Sequence, residues 1–130
     1  MSKDIADILC IGIDNSAMRT RLLILEGAGH NVTQARDLRQ VQAACETVSF
    51  AVAILGQSLN PSEKKRITDV VLTHCKSAKI LELHTGIAPE LPQADDHLQV
   101  SAVDAQGLVN AVNALLHKRK KKARRQPSGC

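Results

Sequence analysis

A chain of 130 residues with 44% hydrophobic content is long enough to bury one core without disulfides or a structural metal. Phe50 is its one aromatic residue, which leaves the core to Leu, Ile, Val and Ala and excludes the Tyr and Trp stacking platforms of most single-strand and RNA-binding surfaces. The net charge of +4 hides an asymmetry: the run "KRKKKARR" at 118–125 holds seven of the 17 basic residues, and the other ten face 13 acidic ones, so the rest of the chain is mildly acidic.

In chain order, the opening "MSKDIADILCIGID" flanks a short apolar run with acidic residues, a pattern of neither a secretory leader nor a membrane span. "DILCIGI" (7–13) reads as a strand buried on both faces. A helix follows, capped near Asn15 or Ser16, with Met18, Leu22 and Leu25 on one face and the glycines of "EGAGH" at its end. "NVTQA" (31–35) is a weaker strand suited to a sheet edge. From an Asp37 cap, Leu38, Val41, Cys45 and Val48 recur at helical spacing, and the apolar strand 50–55 comes next. Pro61 and Ser62 open a third helix with Ile67, Val70, Val71 and Cys75 facing inward.

"AKILELH" (78–84) is the fourth strand and "HLQVS" (97–101) a short fifth. The dozen residues between them, "TGIAPELPQADD", are broken by Pro89 and Pro92 and leave little room for a crossover helix. A last helix from Asp104 to His117 carries Leu108, Val112, Leu115 and Leu116 on one stripe and runs into the basic segment. Strands and helices in this alternation imply an α/β fold, a doubly wound five-stranded parallel sheet.

Cys10, Cys45 and Cys75 sit at apolar positions, far apart and without the spacing of a zinc site, and read as buried thiols of a reducing cytoplasm; Cys130 reads as an exposed one. Cys10 followed by Ser16 has the outline of a cysteine phosphate loop, but "IGIDN" between them continues an apolar strand and adds an aspartate where an anion would sit.

The stretches "ILCIGIDNSAMRTRLLILEGAGHNV" and "FAVAILGQSLNP" resemble the response-regulator receiver domain, the phosphorylation-controlled, CheY-like module of two-component signalling. The resemblance covers roughly residues 7–117 and implies the strand order 2-1-3-4-5 with a shortened fourth crossover. In such a domain a carboxylate cluster holds magnesium while an aspartate after the third strand accepts a phosphoryl group. Carried over residue by residue, the acidic pair falls on Ile13 and Asp14, and the acceptor on Gly56. The hydroxyl residue falls on His84 or Thr85, the lysine on Ser101 followed by Ala102, and the aromatic switch near Leu98. One carboxylate is too few for magnesium, so the resemblance is to a degenerate pseudo-receiver with no catalytic residue, metal or cofactor.

Residues 1–117 are therefore expected as a receiver-like domain and 118–130 as a flexible polybasic tail, with the helix extended a turn or two past Leu116 by favourable cations at its C-terminus. The expected function is phosphorylation-independent signalling in the cytoplasm through a protein partner on the last strand and helix, a face that also allows a homodimer. Two other readings stay open. Lys118, Arg119, Lys120, Lys121, Lys122, Arg124 and Arg125 form a polyanion-binding run suited to nucleic acid, and the vacated pocket near Asp14, Gly56 and His84 or Thr85 suits a small-molecule sensor.

Overall fold

The computed structural model describes residues 5–86, 88–100 and 104–128, with side chains described as far as His117. Its elements are β1 (Asp7–Ile11), α1 (Asn15–Gly27), β2 (Asn31–Ala35), α2 (Leu38–Thr47), β3 (Val52–Leu55), α3 (Pro61–His74), β4 (Lys79–His84), β5 (Asp96–Gln99) and α4 (Ala105–Ser128). All strand pairs are parallel, as the alternation implies, and the order is β2-β1-β3-β4-β5, as the resemblance implies. Cys130, Ser101 and Ala102 lie outside the described residues. Among those described, no helix is long and apolar enough to cross a membrane.

Because side chains alternate across a strand, each central strand feeds two cores. Ile8, Cys10, Val52, Ile54, Leu81 and Leu83 pack beneath α1 and α4. Leu9, Ile11, Ala53, Leu55 and Ile80 face α2 and α3. Strand β3 is buried at every position, whereas edge strands β2 and β5 are largely half-buried or exposed. The caps are local: Asp37 accepts from the Gln40 amide, and Asn60 and Glu63 form a reciprocal capping box ahead of Pro61.

Asp14, an aspartate at a helix start, caps α1. Three details depart from expectation. Arg21, at the spacing of Met18 and Leu25, takes the inward position expected for Leu22, which is half-buried. In α3 the inward stripe is Lys64, Ile67, Thr68 and Val71, with Val70 only half-buried. The helical backbone of α4 also continues to Ser128, beyond the one or two turns anticipated past Leu116.

Among the described residues of the β4–β5 crossover no helix forms, and a buried polar network stands in its place. Lys64 and Glu82 are both fully buried, with Nζ 2.7 Å from Oε2. The other two Lys64 donors reach the Leu83 carbonyl at 3.0 Å and Glu90 Oε1 at 2.9 Å. The Glu82 carboxylate in turn accepts the amides of Glu90 and Leu91, each at 3.0 Å. His97 on β5 donates from Nε2 to the Leu91 carbonyl at 2.9 Å. Leu91 is thereby held, 1% exposed, as an apolar plug over the α3-facing core.

Burial alone would raise the Glu82 pKa, but the Lys64 hydrogen bond, the two amides and the Lys64 charge outweigh it and hold the carboxyl below its ordinary 4.5. Removing one partner leaves a buried charge uncompensated, so Lys64→Met is expected to cost about 3–5 kcal/mol in urea unfolding at neutral pH. A depressed folded pKa gives stability that is present above the ordinary glutamate value and lost as pH falls through the folded one. The stability gap between wild type and Glu82→Gln should therefore be full at neutral pH and narrow in acid, as denaturation at stepped pH will read.

Candidate functional site

The carboxyl ends of the central strands are where ligands sit in open α/β sheets, and here β1 and β3 run into facing glycines, Gly12 and Gly56. The Gly56 amide donates to the Ile11 carbonyl at 2.8 Å, prolonging the pairing in which Ile11 faces Leu55. A Cβ on Gly56 would lie 3.1 Å from Nη1 of Arg21 and 3.1 Å from the Ile11 carbonyl oxygen. The position is thus closed on one side by backbone and on the other by a guanidinium.

Arg21 reaches this place because α1 starts directly after β1 and presents the Met18, Arg21, Leu25 stripe to the sheet. It is 9% exposed, and its Nη2 donates to Gln57 Oε1, the residue after Gly56. Burial lowers its pKa, with Cys10 and Asp14 pulling it back up; an arginine so placed remains a cation. The Cys10 thiol is pushed up to about 12 by burial, against the attraction of Arg21, a shift that favours its neutral form. Cys10 lies inside β1 rather than at the start of a loop, which argues against a cysteine phosphate loop, and the three described cysteines are all buried, as their apolar positions imply.

The remaining sequence candidates are dispersed. Asp14 Oδ1 accepts the Ser16 and Ala17 amides at 3.0 and 3.2 Å, so its carboxylate serves the start of α1. Ile13 is 48% exposed and turned away from the core. His84 is buried and donates from Nδ1 to the Gly86 carbonyl at 3.0 Å, which also accepts from Gln99 Nε2 at 3.1 Å, tying the β4 exit to β5. Thr85 is exposed. Among the described residues no three His, Cys, Asp or Glu side chains are placed to share a metal ion.

A cleft of about 460 Å³ opens beside the glycines, between the first turns of α1 and α4. Arg21, Asp14, Leu83 and Leu98 are among its walls; Gly56, His84 and Thr85 are not. Neither Arg21 nor the cleft stood out in the sequence, although a basic residue three positions from Met18 and four from Leu25 on an inward stripe was a usable signal.

The Gly56 geometry makes a direct prediction. The Arg21 side chain has room to yield, but the Ile11 carbonyl is fixed in the β1–β3 pairing, so Gly56→Ala is expected to cost about 1–3 kcal/mol. The cost should persist when Arg21 is shortened as well, which denaturant melts of the single and double variants will check.

No family model and no curated protein matches this chain. Solved structures do. The chemotaxis response regulator CheY4 of Vibrio cholerae is 22% identical with a TM-score of 0.74, over 86% of this chain and 99% of that one. A CheY-like receiver domain protein from Methanospirillum hungatei JF-1 is 18% identical with a TM-score of 0.77, over 91% and 98%. The receiver domain of sensor histidine kinase PA1611 from Pseudomonas aeruginosa PAO1, solved with a magnesium ion coordinated in its active-site cleft, is 14% identical with a TM-score of 0.75, over 87% and 98%. At these identities the likeness is one of architecture: this chain has the CheY-like fold of response-regulator receiver domains, with four helices around its five-stranded sheet.

Proposed function

We propose that this chain is a noncatalytic pseudo-receiver that signals by phosphorylation-independent protein contact. The observation carrying this reading is the exit of β3, where Gly56 offers no side chain and the Arg21 guanidinium lies against the place a Cβ would occupy. Phosphoryl transfer to a receiver needs an acceptor carboxylate and carboxylates for a divalent cation. Here Asp14, the carboxylate whose charge acts on Arg21, engages two amides with one oxygen, and the Arg21 cation beside Gly56 disfavours a divalent cation. The C-terminal face is the surface that fits a partner: β5 ends the sheet with half-buried residues, and α4 packs beside it.

Incubation with acetyl phosphate and magnesium should leave the intact mass unchanged. Gain of a single stable phosphoryl group would overturn the reading.

A second reading is favoured by one observation, that α4 stays helical through the basic run to Ser128. Seven cations borne on one helical segment suit a polyanion, and nucleic acid is the polyanion they would meet by phosphate contacts alone. If five to seven phosphates are engaged, binding to duplex DNA should fall with salt at a log–log slope of about −5 to −6. Truncation after His117 should abolish it, and no tail-dependent binding at low salt would remove this reading.

A further inference from the structure

We infer that the cleft between α1 and α4 is a binding site for a small amphipathic monocarboxylate, whose carboxylate is held by Arg21 and whose apolar body lies on Leu83, Leu98 and Leu108. The inference goes beyond the proposed signalling role and does not depend on it, since binding here is a property of the cleft whatever surface meets a partner.

Arginine is seldom this buried without a counter-ion, yet none of the ion pairs among the described residues includes Arg21. Its Nη2 donates to the neutral amide oxygen of Gln57. No buried side-chain nitrogen or oxygen among the described residues lacks a partner, so the Arg21 donors that do not bond Gln57 are not sealed in the interior, and Arg21 is a wall of the cleft. A guanidinium offers five donors in a planar fork that matches a carboxylate through two parallel bonds.

The walls define the rest of the ligand. Ile24, Leu83, Leu98 and Leu108 make the interior predominantly apolar, and a volume of about 460 Å³ lies in the range of small-molecule sites. Two acidic residues, Asp14 and Asp104, stand on the same walls. Each accepts helix N-terminal amides on its Oδ1, Asp14 from Ser16 and Ala17 and Asp104 from Gly107 at 3.0 Å, and neither joins Arg21 in an ion pair among the described residues. Their charges nevertheless disfavour a multiply charged phosphate and leave room for a single negative charge. An apolar body with one carboxylate satisfies the cation, the apolar walls and the acidic rim together.

The test uses the full-length chain titrated with sodium octanoate and sodium benzoate, with benzamide and inorganic phosphate as the neutral and multiply charged comparisons, followed by ¹⁵N-resolved NMR. Saturable shifts at Leu98 and Leu108 are expected with at least one of the two carboxylates, at a dissociation constant of about 0.1–1 mM. Benzamide, phosphate and the Arg21→Met variant should each bind at least tenfold more weakly, and Arg21→Lys should fall between, since it keeps the charge without the fork. Should Arg21→Met fail to fold, Ala17→Leu decides instead: it fills the cleft from a half-exposed wall of α1 and should abolish binding. Absence of saturable binding by both carboxylates, equal binding of benzamide and benzoate, or undiminished affinity in folded Arg21→Met or in Ala17→Leu overturns the inference.

Discussion

The Lys64 and Glu82 ion pair is the constraint on which the C-terminal half of the sheet depends. Two adjacent parallel strands need a crossover, which in most α/β proteins is a helix that also covers the sheet. Here the connection from β4 to β5 is short and broken by Pro89 and Pro92, so its covering role falls to individual contacts. Glu82 supplies them by binding the Glu90 and Leu91 amides, and Lys64 makes the carboxylate tolerable in the interior. An apolar pair in the same space would bury as well, but it would leave those two amides without acceptors, and an orphaned buried donor is costly. The network therefore does what simple packing could not: it fixes a loop lacking its own hydrogen-bond ladder.

The same economy of parts marks the other end of the sheet. Asp14, Gly56 and His84 are each explained by local structure, as helix cap, close backbone approach and strand-end tie. What distinguishes the region is Arg21, a residue of the helix rather than of the strand exits. Its charge reorganises the neighbourhood: it reaches Gln57, acts on the buried Cys10 and forms a wall of the α1–α4 cleft. The glycine at 56 and the arginine at 21 are physically matched, since a side chain on one would meet the head group of the other.

Much of this architecture was legible in the residues. The continuous apolar runs of β1 and β3 mark strands buried on both faces, the mixed "NVTQA" marks an edge, and Asp37 and Pro61 mark helix starts. The charged partners were less legible. Within "AKILELH" the glutamate looks like the solvent side of an alternating strand, and only burial of both faces turns it into a demand for a cation. Lys64 lies on the same stripe as Ile67 and Val71, yet periodicity says only which face a residue occupies. It does not say which residue on a distant element completes its charge. Arg21 was hidden for a related reason, because Leu22 beside it satisfies the apolar pattern almost as well. Hydrophobic spacing identifies layers; pairings between layers come from tertiary contact.

The continuity of α4 has a mechanical consequence. Leu108, Val112 and Leu115 anchor its first half in the core beneath the sheet, while its backbone continues unbroken to Ser128. At 1.5 Å per residue the part beyond Leu115 is about 20 Å long, so the helix is a lever whose short arm is embedded. A tilt of about 10° at the embedded arm would carry the far end through roughly 3 Å on that length. Any event that shifts the packing of α4 against α1 is thereby enlarged at the distal end, without a hinge and without rearrangement of the sheet.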